Sequence, residues 1–200
     1  MAALPESSGK LIALEGPKAA GKSLLLTAVA ARLPHPPRLV LTKEPTPAFD
    51  LRREQELQGQ ALAEAIASDR ARHVAEVIAP ALKAGRAVIC DRYILSSYVF
   101  HVPDGVAPEV IARLNRAFPT PTLNLVLEVP TEELRRRRSR RPGTTRLQSN
   151  DPAAESLAYR HYSKLMESQG VPSRFVDNST MTQHHQLVEW LIAQYAGSGQ

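Results

Sequence analysis

Residues 16–23 read GPKAAGKS, and Gly16, Gly21, Lys22 and Ser23 fall on the spacing G-x-x-x-x-G-K-[ST]. Each residue type has a task at that spacing. The glycines let the backbone curl until its N–H groups point at phosphate oxygens. A helix that begins at the loop adds the partial positive charge of its N-terminus. Lys22 is set to reach β- and γ-phosphates as a point charge, and the Ser23 hydroxyl to ligate Mg2+. The chemistry expected is binding of ATP along Gly16, Pro17, Lys18, Ala19, Ala20, Gly21, Lys22, Ser23 and Leu24. The plain alternative is a glycine turn that binds nothing. The apolar run before the loop and the helix-forming run after it favour the phosphate site.

Two further groups complete a phosphoryl-transfer set. Asp91 ends the apolar run RAVIC, where a carboxylate can hold Mg2+ directly or through water, and otherwise serves as a helix cap or a partner of Arg92. The segment RRRRSRRPGTTR concentrates arginines, and Arg138, Arg141 and Arg146 are candidates to stabilise charge on the transferring oxygens. Ala19 occupies the loop position from which an arginine might otherwise come. Arg135–Arg137 are read as a solvated helix face. An RNA-binding patch is disfavoured because no aromatic residue interleaves with these arginines.

The elements that must position these residues alternate in type. Strands are expected at Lys10–Glu15, Arg38–Thr42, Arg86–Cys90, Leu123–Val129 and Ser173–Asp177. Helices are expected at Lys22–Leu33, at Leu51–Ile66, and from an N-cap at Ser68 to Ala84 with a bend at Pro80. Others follow at Tyr93–Phe100, Pro108–Ala117, Pro152–Ser168 and Thr182–Tyr195, with one capped by Thr131. Ser139–Asn150 forms a polar loop. This alternation predicts one α/β domain over 1–200, a three-layer fold with a mostly parallel five-stranded sheet and helices on both faces. Residues 138–150 form a flexible, arginine-rich lid. Gly16–Ser23, Glu44, Asp91, Arg92 and the residues after Glu128 gather at the carboxyl edge of such a sheet.

Composition bounds the rest. The chain is 43% hydrophobic and 22% charged, as an ordinary globular domain is. Removing Arg135–Arg138, Arg140, Arg141 and Arg146 would reverse the sign of the +5 net charge, so the charge is a local device and nucleic acid is not an expected partner. The lone cysteine, Cys90, excludes an internal disulfide, reads as a core residue, and fits a reducing, cytoplasmic setting. No apolar stretch is long enough to span a bilayer, and MAALPESSGK lacks the pattern of a signal peptide, so no membrane partner is expected. The histidines form no apparent metal cluster.

Five stretches together resemble the thymidylate kinase family: LIALEGPKAAGKS, TKEPTP, SDRARHVAEVIAPALKAGRAVICDRYILSSYVF, TLNLVLEVPTEELRRRRSRR and RFVDNS. The run DRYxxSS behind a phosphate loop is the most specific of these. The resemblance implies a P-loop NTPase fold and ATP- and Mg2+-dependent phosphorylation of a nucleoside monophosphate, dTMP or a related or modified pyrimidine nucleotide. It implies that Arg70 and Arg92 hold the acceptor's 5′-phosphate and that Ser97 and His101 lie beside its base. Glu44 and Lys43 would stand near its phosphate or sugar, and Arg146 would be a lid arginine. A cytoplasmic homodimer acting on small nucleotides follows from the same likeness.

The departures fall on the acceptor side. Lys18 stands where the family usually has Asp or Glu, and lysine cannot accept a hydrogen bond. Its side chain either faces the acceptor or turns to solvent, Glu44 or Asp91. Ile66 replaces a phenylalanine and forgoes base stacking, worth about 0.5–1.5 kcal/mol. His101 replaces glutamine, Lys43 arginine and Gln148 glutamate. One alternative is a deoxynucleoside or other hydroxyl kinase with Glu44 as general base. Another is a nucleotide-binding protein without turnover.

Overall fold

A computed structural model describes residues 9–33, 38–140, 146 and 151–195. Five parallel strands, β1 (Leu11–Glu15), β2 (Leu39–Lys43), β3 (Ala87–Asp91), β4 (Leu123–Glu128) and β5 (Ser173–Asp177), pair in the order β2-β3-β1-β4-β5. Every residue of β1 is buried, as the central strand of a doubly covered sheet must be. The pleat sends alternate side chains to opposite faces. Leu11, Ala13, Val88, Cys90 and Val126 share one apolar cluster, and Ile12, Leu14, Ile89, Leu125 and Leu127 share another.

Helices cover both faces. The first cluster takes in Ala63 of α3 (Gly59–His73), Leu95 and Val99 of α5 (Ile94–His101), and Tyr159 and Met166 of α8 (Pro152–Ser168). The second takes in Leu25 and Val29 of α1 (Lys22–Ala30), Leu134 of α7 (Thr131–Ser139), and Leu187, Val188 and Leu191 of α9 (Met181–Tyr195). Remaining helices are α2 (Arg53–Glu56), α4 (Ala79–Lys83) and α6 (Pro108–Asn115). The three-layer α/β reading therefore holds.

Three local expectations are corrected. No helix spans Leu51–Ile66 and none starts at Ser68. The chain is extended at Leu57 and Gln58, and α3 runs from Gly59 through Ser68 without a break. Tertiary contacts override the capping preference: Ser68 is exposed, while Asp69 and Arg70 beside it are buried and need helical spacing to meet their partners. The helix then widens into a π-turn at Val74–Ile78 before Pro80. Proline's ring collides with the carbonyl four residues back, and Glu76 lies in the widened turn. Thr131 does not cap α7. Pro130 precedes the helix and no side chain caps it. Of the expected lid, Arg141 and Gln148 lie outside the described residues.

Candidate active site

The phosphate loop follows β1 and opens α1. Gly16 has φ 128°, and a Cβ there would stand 2.6 Å from the Leu127 carbonyl oxygen of β4, so no side chain fits. Gly21 has φ 102°, and its missing Cβ leaves room for the Asn178 amide. Ala19 between them also takes the left-handed region, at φ 70°, a strained setting for a residue with a Cβ.

Each carbonyl of the loop has a donor. Lys22 Nζ donates to Gly16 O at 2.6 Å and to Pro17 O at 3.0 Å. Arg138 Nε donates to Lys18 O at 3.2 Å, Arg137 Nη1 to Ala19 O at 3.4 Å, and Asn178 Nδ2 to Ala20 O at 2.7 Å. Across a trans peptide the C=O and the next N–H point in opposite directions. Donors on the Lys18 and Ala20 carbonyls therefore turn the Ala19 and Gly21 N–H groups the other way, toward the hollow of the loop, where the helix start adds its own orphan N–H groups.

Lys22 is 6% exposed. Burial and the nearby Arg92 charge lower its pKa to about 8, against the pull of Asp91, Glu155 and Glu15. Ser23 Oγ donates to Asp91 Oδ2 at 3.3 Å, and Asp91 Oδ1 is buried with no partner. A hydroxyl and an orphaned carboxylate oxygen on hard ligands are what Mg2+ takes.

Beyond β2 and β3 lies a cavity of about 460 Å3 lined by Glu44, Phe49, Ile66, Arg70, Arg92, Ser97, Phe100 and His101, with others. It brings the expected acceptor residues together. Arg92 takes φ 69° in the turn after β3 and donates through Nη1 to Tyr159 Oη at 2.6 Å and Ser96 Oγ at 3.2 Å. Its guanidinium carbon lies 4.7 Å from the Phe100 ring centroid. Burial opposes that charge, but Tyr159, Asp91, Glu155 and Glu15 hold the proton on more firmly than usual.

Arg70 is 2% exposed and already committed. Its Nε donates to Glu44 Oε2 at 2.6 Å, and Nη1 to Ser97 Oγ at 3.1 Å and to Asn115 Oδ1. The other Glu44 oxygen meets His73 Nδ1 at 2.9 Å. Glu44, His73 and Cys90 lie close together, but burial pushes the Cys90 thiol well up and Arg70 already balances Glu44, so the trio forms a packed polar network rather than a cation site.

Ile66 packs with Phe49 and Leu62. Phe49, from the β2–α2 connection, and Phe100 thus give the cavity an aromatic surface that position 66 lacks. His101 is 3% exposed, its Nδ1 is buried without a partner, and burial with the Arg70 charge lowers its pKa to about 4. A neutral imidazole offers one donor and one acceptor.

The arginine segment divides. Arg135 and Arg136 pair with Glu132 and Glu133 at the surface, as a solvated face should. Arg137 shares Glu133 with Arg136 but also turns inward: beyond Ala19 it donates to Ser179 O at 2.7 Å and Asn178 O at 3.2 Å, tying α7 to the turn after β5. Arg138 reaches Glu155 of α8 as well as the loop. Arg146 stands apart from the phosphate loop. It pairs with Asp104 and donates to Glu54 O at 2.7 Å and Leu57 O at 3.0 Å. Lys18 is fixed through its backbone, N–H to Glu155 Oε1 at 3.0 Å and C=O to Arg138, and is not among the residues lining the cavity.

The sequence profile of the thymidylate kinases matches residues 14–186. A thymidylate kinase of Pseudomonas putida is 35% identical over 184 residues, covering 84% of this chain and 86% of its own. The chain belongs to the thymidylate kinase family. Among solved structures, a thymidylate kinase of Candida albicans superposes with a TM-score of 0.67 at 22% identity, covering 94% of this chain and 92% of its own. One from Ehrlichia chaffeensis gives 0.65 at 18%, covering 92% and 99%. Thymidylate kinases are nucleoside monophosphate kinases, so the chain is a transferase that uses ATP as phosphoryl donor. The hydroxyl-kinase and non-catalytic alternatives are not favoured. Both Glu44 oxygens are engaged, so that carboxylate is not poised as a base. Among the described residues no helix is long and apolar enough to cross a membrane.

Proposed function

We propose that the protein transfers the γ-phosphoryl group of ATP to the 5′-phosphate of dTMP, giving dTDP. The observation that carries this is the cavity lined by Arg70 and Arg92 next to the phosphate loop, with the Arg92 charge near enough to Lys22 to lower its pKa. A phosphate acceptor brings its own anionic nucleophile, so the site needs cations and no general base.

In this reading ATP lies along Gly16–Leu24, its phosphates drawing Lys22 Nζ away from the Gly16 and Pro17 carbonyls. Ser23 and Asp91 would hold Mg2+, which supplies charge neutralisation at the phosphates. Arg92 fixes the acceptor phosphate, its guanidinium held in place by Tyr159, Ser96 and Phe100. Arg70, anchored by Glu44 and Asn115, shapes the inner wall beside Ser97. The base lies against Phe49, Ile66 and Phe100, with the uncharged His101 at its edge. Arg146 is a lid arginine in this reading, whereas Arg138 is already held by Glu155 and the Lys18 carbonyl. A cytoplasmic homodimer is part of the same proposal and is checked by light scattering and fractionation.

The test is a coupled ADP-release assay over nucleoside monophosphates and nucleosides with ATP–Mg2+. dTMP should turn over best and thymidine not at all. Turnover of thymidine, or of no monophosphate, sinks the reading.

A further inference from the structure

Glu155 lies on α8, outside every motif that marks the site, yet it is 2% exposed and points at the phosphate loop. Its Oε1 accepts the Lys18 N–H at 3.0 Å, and its Oε2 accepts from Arg138 Nη2. Arg138 Nε in turn donates to the Lys18 carbonyl at 3.2 Å. One carboxylate and one guanidinium thus grip both backbone polar groups of a single loop residue. The next residue, Ala19, holds the strained φ of 70°. Such a conformation persists only where its surroundings over-determine it. With the Lys18 C=O held outward by Arg138, the Ala19 N–H of the same peptide unit points the other way, into the hollow. The Glu155 carboxylate also helps to hold the protons on Lys22 and Arg92.

We propose that Glu155 is a positioning residue for phosphoryl transfer, acting with Arg138 to set the Lys18–Ala19 peptide so that the loop presents its amide to the ATP phosphates. It also neutralises Arg138, so that arginine serves as a clamp on the loop rather than as a loose cation. The carboxylate comes from α8, which packs on α5, so the loop's geometry is tied to the helix that carries Ser96 and Ser97. The proposal rests on the kinase reading above for its turnover arm only.

The experiment compares wild type with Glu155→Gln, Arg138→Gln and the double variant. The readouts are steady-state kinetics with ATP and dTMP, and a titration with a fluorescent ATP analogue that needs no acceptor. Glu155→Gln keeps the shape but loses the charge. It should lower kcat about 10- to 100-fold, weaken the analogue about tenfold, and leave the KM for dTMP within about twofold. The double variant should be no worse than Arg138→Gln alone, because the two act as a unit. Additive losses, or kcat and analogue binding within about twofold of wild type, overturn the proposal. Glu155→Asp, shorter by one methylene, serves if the glutamine variant does not fold, with the same expected split between kcat and dTMP KM. If wild type binds the analogue but does not phosphorylate dTMP, the acceptor reading fails and the titration alone decides the clamp.

Discussion

At the scale of single residues, Lys22 carries a charge that its surroundings resist. Without ATP it is satisfied only by carbonyls of its own loop, and its pKa is lowered to about 8. As pH rises through that value the free enzyme loses the proton, whereas bound phosphates hold it on. The KM for ATP should therefore be flat below about pH 8 and rise about tenfold per pH unit above it, measured as initial rates across pH 6.5–9.5. A profile flat to pH 9.5 contradicts this. Gly16→Ala should destabilise the free protein by about 1–3 kcal/mol in urea unfolding, since the added methyl meets the Leu127 backbone and not a side chain that could move. Lys18→Asp should lower kcat and not raise it, because it sets a second carboxylate beside Glu155. A gain in dTMP turnover instead would favour a direct acceptor role for that side chain. The residues of the phosphate loop, with Asp91 and Arg92, were legible because their spacing is local. Glu155 was not: it meets Lys18 across 137 positions, and no pattern along the chain reaches so far.

Among the elements, α7 shows why an arginine run cannot be apportioned by composition. Four consecutive arginines point in different directions around a helix, and only the third and fourth turn toward the phosphate loop. Arg137→Ala should weaken ATP about tenfold while leaving dTMP binding near wild type, because it frees the carbonyls of Ala19, Asn178 and Ser179 together. Isothermal titration of each ligand checks it, and equal losses for both would contradict it. The strands and most helices were legible from apolar runs and from Gly and Pro. The boundary at Ser68 was misread because its capping preference is weak beside the contacts of its neighbours. Asp69 accepts from the Thr46 N–H and hydroxyl, both at 2.7 Å, and Arg70 reaches Glu44. Asn178 was visible only as part of the RFVDNS turn. Its contact with Ala20 becomes apparent once β5 is seen to end beside the loop.

For the molecule as a whole, the carboxyl edge of one sheet collects the loop after β1, Glu44 after β2, Arg92 after β3 and Asn178 after β5. Ligands that bind here stabilise the fold by mass action. dTMP or ADP at 100 times its Kd should add about 2.7 kcal/mol, and so raise the melting temperature by roughly 5–10 °C in a domain of this size. Thymidine should give a smaller shift than dTMP, and equal shifts would argue against phosphate recognition by Arg92. The strand order also governs synthesis. β1 emerges from the ribosome first, but its neighbours β3 and β4 are translated much later, and Asn178 later still. The nascent chain therefore holds its fully buried strand unpaired until β3 has been made, and a prematurely terminated product that lacks the Asn178 turn carries the glycine motif without the means to hold it in shape.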